Sequence, residues 1–121
     1  MHIIKKELKP GIIVLELTGP LQMGTECKQL ELTFDALLKE RQTRVILDLS
    51  RVTKLDSGGL GKIVNCFSRL KNAGGSLCIA GASGMITGVL KLTHADHFLK
   101  AYPTALDAAA SFSDPSPSAA G

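Results

Sequence analysis

The 121-residue chain has no tryptophan, one tyrosine and four phenylalanines. Since 45% of it is nonetheless hydrophobic, the core must be aliphatic, built from Leu, Ile, Val, Ala and Met. The length suits one domain. The three cysteines, Cys27, Cys66 and Cys78, are odd in number, widely spaced and lack a Cys-x-x-Cys pair. Each lies in an apolar pattern, so buried reduced thiols are expected, as in a cytosolic protein. No apolar run nears the roughly 20 residues that span a bilayer. The N-terminus passes straight into alternating and charged residues, unlike a signal peptide. The net charge is only +3. Its basic residues are scattered, without interleaved aromatics, and give no nucleic-acid footprint.

Residues 3–8 and 12–17 are β-like runs joined by Lys9-Pro10-Gly11, a hairpin pattern. Residues 18–24 read as a loop. Thr25 is placed to cap a helix with Cys27, Leu30, Phe34, Leu37 and Leu38 on one face. Residues 45–49 are almost continuously apolar, which suits a central strand covered on both faces, with a short loop after it. Leu60, Ile63, Val64, Phe67 and Leu70 then repeat at helical spacing, and Gly74-Gly75 supplies a stop. Residues 77–80 are the next buried strand. Ser83 opens a weaker helix containing Gly88, residues 98–101 suggest a short last strand, and Thr104 and Asp107 start a final helix burying Leu106, Ala109 and Phe112. This order predicts an α/β domain over residues 1–112. It has a single mixed, largely parallel sheet of four to five strands, an N-terminal hairpin and about four helices. The Ser/Pro/Ala-rich tail, 113–121, has nothing to bury and is expected to be disordered.

The most informative segment is Asp56-Ser57-Gly58-Gly59, which falls after the central strand and at the mouth of a helix. In such sheets functional groups gather at the carboxyl ends of strands. Ser57 admits two readings: a cap satisfying an orphan N–H, or an exposed switch serine. Asp56 is able to cap the helix itself, which frees Ser57. Gly58, Gly59 and Gly61 are unfavourable inside a helix and predict close approach, of a partner or of neighbouring backbone. Asp48 is expected to turn toward the helix start and pair with loop N–H groups. Arg51, Lys54 and Lys62 flank Ser57 as a solvated face or an attraction for an acidic partner.

Three chemistries fail on spacing. The segment around Gly58-Gly59-Leu60-Gly61-Lys62 lacks the first glycine of a phosphate loop, because Asp56 occupies it. It also lacks the closing hydroxyl residue, replaced by Ile63. His94-Ala95-Asp96-His97 lacks a fourth ligand for a metal and reads as a polar connection. No Ser/His/Asp or Cys/His set stands at recognisable spacing. No metal, cofactor or catalytic residue is expected, and a small nucleotide-binding enzyme is the least favoured class.

From about residue 3 to 112 the chain resembles the STAS domain family of bacterial anti-sigma factor antagonists. The resemblance rests chiefly on Val45-Ile-Leu-Asp-Leu-Ser-Arg-Val-Thr-Lys-Leu-Asp-Ser-Gly-Gly-Leu-Gly61. Leu70-Lys-Asn-Ala-Gly-Gly-Ser-Leu77 and Val89-Leu-Lys-Leu-Thr93 support it. It implies that Ser57 is phosphorylated by a partner anti-sigma factor serine kinase. It further implies that the unphosphorylated chain binds that partner and frees a sigma factor. The partner surface would then hold Gln22, Asp56, Ser57, Gly58, Gly59 and Lys62. Gln22 stands where an acid is common in the family, on a loop beside the partner surface, and so bears on partner choice. The alternative is a STAS scaffold or transport-complex subunit that works without phosphorylation.

Overall fold

The computed structural model describes residues 2–112, apart from the side chains of Thr25 and Glu26. The expected tail, 113–121, lies outside them. Five strands form one sheet: β1 (His2–Lys9), β2 (Ile12–Leu21), β3 (Arg44–Leu55), β4 (Ser76–Ala80) and β5 (Lys100–Tyr102). Their order in the sheet is their order in the chain. β1 and β2 are antiparallel, and every later pairing is parallel. The helices are α1 (Thr25–Lys39), α2 (Ser57–Asn72), α3 (Gly84–Leu92) and α4 (Ala105–Phe112), with a 3-10 turn at Ala95–His97. The predicted α/β architecture is the observed one.

Strand alternation divides the core in two. Leu15, Leu47 and Ile79 face one way and pack with Leu30 and Phe34 of α1, Ile63 and Leu70 of α2, and Ile86 and Leu90 of α3. Ile12, Val14, Ile46, Cys78 and Ala80 face the other way, under Ala108 and Ala109 of α4. Period-two side chains of a sheet covered on both faces require this division. Cys27, Cys66 and Cys78 are buried, and none is in a disulfide.

Four details differ from the sequence reading. β2 and β3 each run further than expected, because residues 18–21 and 51–55 pair with one another. Register shifts at Glu16/Thr18 and Gly19/Pro20 carry the pairing past a proline that has no N–H to donate. The N-cap position of α1 is Gly24, one residue before the expected Thr25, whose side chain lies outside the described residues. β5 starts at Lys100 because Phe98 still closes the 3-10 turn. In α4 the inward stripe is Ala105, Ala108, Ala109 and Phe112, at ideal helical spacing. Leu106 falls off that stripe and is 66% exposed.

The helix ends follow their local chemistry. Ser83 caps α3 through Ile86 N–H, and Thr104 accepts from Asp107 N–H at the start of α4. Gly74, at φ +85°, ends α2. There Gly75 N–H donates to Leu70 O at 2.7 Å and Gly74 N–H to Lys71 O at 3.0 Å, the paired bonds of a Schellman stop. Gly75 also has no room for a side chain, since a Cβ would lie 2.0 Å from Thr43 O.

Candidate functional site

The site lies where β3 passes into α2. Asp56 is the N-cap residue, extended in backbone, and its Oδ1 accepts from Gly59 N–H at 2.7 Å. Its Oδ2 accepts from Met23 N–H at 3.2 Å. These bonds, Gly59 first and Met23 second, hold the Asp56 carboxyl below the usual carboxylate range, against a smaller upward push from burial. Asp56 therefore stays ionised at neutral pH.

Ser57 is the first residue of α2 and is exposed. The capping bond is made by Asp56 and not by Ser57. Ser57 sits at a helix start, where unpaired N–H groups and the helix dipole favour negative charge.

The glycines separate by direction. At Gly59 a Cβ would stand 2.2 Å from Leu21 O, and at Gly58 a Cβ would stand 2.7 Å from Met23 Cβ. Both close approaches are made by the chain itself, at the end of β2 and in the turn that follows it. Gly59 is buried, so it shapes the surface from beneath, and the two residues after Ser57 are not a bare surface. Gly61 is the exposed one, with open space around it.

Gln22 is half-buried, and its carbonyl accepts from Cys27 Sγ at 3.1 Å. Its loop comes against the Asp56-Ser57 turn through Met23. Sequence reasoning did not single out Met23. It is 71% exposed, an apolar side chain set over Gly58 and joined by its backbone to Asp56. A large apolar residue between Gln22 and Gly24, in a turn between elements, was the available signal.

Lys62 joins α2 to α1 through Glu31, with Nζ 3.5 Å from Oε2. Arg51 and Lys54 are exposed on the last part of β3. Among the described residues, the ion pairs use neither of them. Asp48 does not reach the helix start. Its Oδ1 accepts from Ser50 N–H at 3.0 Å, a local bond to a donor two residues on, of the kind short acidic side chains form with their own backbone. His94 and His97 have ring centroids 5.4 Å apart. Among the described residues no group of three or more His, Cys, Asp or Glu side chains could hold a metal. No helix there is long and apolar enough to cross a membrane.

Comparison with known proteins places this geometry. A Thermotoga maritima protein described as "Putative anti-sigma factor antagonist" is 33% identical over 75 residues, 62% of this chain and 66% of that one. The chain thus spans just under two thirds of that curated relative. A crystal structure of a Thermotoga maritima protein with the same description is 25% identical, with a TM-score of 0.83 over 90% of this chain and 92% of the other. SpoIIAA shares the fold at lower identity. Its unphosphorylated form is 15% identical with a TM-score of 0.72, covering 92% of this chain and 96% of that one. The phosphorylated form, from Bacillus, is 16% identical with a TM-score of 0.73, covering 92% and 99%. The STAS domain profile matches residues 4–108, and with most of its length accounted for in this way the chain belongs to the STAS domain family.

Proposed function

We propose that this chain is an anti-sigma factor antagonist controlled by phosphorylation of Ser57. Unphosphorylated, it binds an anti-sigma factor through the surface around Gln22, Met23, Asp56, Ser57, Gly58 and Lys62, and a sigma factor is released. The partner is a serine kinase that uses Ser57 as substrate. The reading assigns the chain no catalytic step of its own.

The observation that carries the proposal is Ser57 itself. It is exposed at the first position of α2, while Asp56 makes the cap bond that would otherwise engage it. A phosphate there adds about −1.5 to −2 charges at neutral pH. The helix start accommodates that charge, so the fold is retained. What changes is the docking surface. New charge and bulk stand beside an ionised Asp56 and beside exposed Met23, a side chain suited to desolvated contact. A loss of about 3 kcal/mol at such a contact weakens binding more than about a hundredfold.

The test is incubation with ATP and a candidate anti-sigma kinase, followed by mass mapping and binding measurements. Phosphate is expected on Ser57. Ser57→Ala should bind the partner without being modified, and Ser57→Asp should not bind. If the partner binds Ser57→Ala and Ser57→Asp equally and no phosphate is incorporated, the chain works as a scaffold and the proposal fails.

A further inference from the structure

The few aromatic residues are not spread evenly. Phe67, Phe98, Tyr102 and Phe112 line one cleft of about 350 Å³, and these are four of the chain's five aromatics. The volume lies in the range of small-molecule sites. The cleft exists because β5 begins late. Its first pairing is Lys100 with Cys78, so Ser76 and Leu77 at the start of β4 have no strand on that side. The rings partly fill the gap, and Phe67 and Phe98 meet with centroids 5.2 Å apart at 49°.

Two cations share this cleft, Lys71 and Lys100, and among the described residues no acidic side chain lines it. Among the described residues neither lysine is in an ion pair. Aromatic rings and two cations that line the same cleft, with Ser76 and Ser111 beside them, are complementary to one kind of ligand. Phe67 is also well along α2 from Ser57, about 15 Å at the helical rise per residue, so the cleft is separate from the switch.

We propose that this cleft binds a small organic anion with a flat aromatic body, its ring against Phe67, Phe98 and Tyr102 and its charge on Lys71 and Lys100. The proposal does not depend on the reading of Ser57.

Three probes test it by amide chemical shifts of the full chain: naphthyl phosphate, neutral naphthol and inorganic phosphate. Saturable shifts around Phe98, Lys100 and Tyr102 are expected with naphthyl phosphate. The other two probes should bind at least about tenfold more weakly. Lys71→Met and Lys100→Met should each weaken naphthyl phosphate binding about tenfold at an unchanged melting temperature, and Lys54→Met should not. Equal binding of the three probes overturns the proposal, as does equal binding by the wild type and both cleft lysine variants. Shifts that gather elsewhere overturn it too. So does a concentration-dependent dimer whose interface amides are those of the cleft, which would assign the surface to a second copy.

Discussion

The Asp56 carboxylate accepts the backbone N–H of Met23, 33 residues away in sequence, at 3.2 Å with one oxygen. The other oxygen caps α2 through Gly59. One side chain therefore starts the helix that carries Ser57 and fixes the loop that carries Met23. Asp56→Ala should lower the melting temperature by roughly 5 °C, followed by circular dichroism. The amide shifts of residues 22–24 should move as well, whereas a cap acting alone would leave that loop in place.

The same carboxylate makes stability depend on pH. Its folded pKa lies below the ordinary value. The stabilisation is thus complete above the unfolded pKa of about 3.9, and it is lost as pH falls through the lower folded value. Melting temperatures of the wild type and Asp56→Asn should converge as pH drops from about 5 toward 2. A gap that stays constant over that interval would contradict the assignment.

Two glycines in the first turns of α2 should respond oppositely to the same change. Gly59→Ala drives a methyl group into Leu21 O and should destabilise by about 3 kcal/mol. Gly61→Ala meets nothing and should stabilise by roughly 0.5–1 kcal/mol through helix propensity. Urea unfolding of both variants checks the contrast.

Burial pushes the Cys66 thiol up to about 12, against a smaller downward pull from Arg69. The thiolate is the reactive form, so Cys66 should resist iodoacetamide near neutral pH until the chain opens. Timed alkylation with peptide mapping should show at least about a hundredfold acceleration in denaturing urea. Equal rates in both conditions would mean that Cys66 is accessible in the folded state.

The corrected face of α4 is testable at two positions. Leu106→Gln should change stability by less than about 0.5 kcal/mol, because its side chain is in solvent. Ala109→Leu should cost about 1–3 kcal/mol, because Ala109 lies fully buried between α4 and the sheet. The opposite ranking would restore the inward Leu106 expected from the sequence.

What was legible in the sequence is what neighbouring residues decide. The apolar run at 45–49, the stripe of α2 and the caps at Asp56, Ser83 and Thr104 are all local patterns, and each is found in place. The extension of β2 and β3 was not legible. Gly19, Pro20, Arg51 and Lys54 have loop character when read alone, and they become strand only because each end supplies the other's partner. The phase of α4 was obscured by the greater hydrophobicity of Leu106, although close packing on the sheet selects Ala108 and Ala109. At the site, Asp56 and Ser57 were visible. Met23 was not, nor was the direction of Gly58 and Gly59, because these depend on a loop that is distant in sequence.

The sheet order that repeats the chain order has a consequence for synthesis. A chain leaving the ribosome N-terminus first adds each strand to the edge laid down just before it, and no strand must be threaded between two finished ones. One face, however, waits for α4, which is late in the described order. Ile12, Val14 and Ile46 stay without their helical cover until Ala108 and Ala109 have emerged, so the nascent domain exposes an apolar sheet face until its last described helix is out.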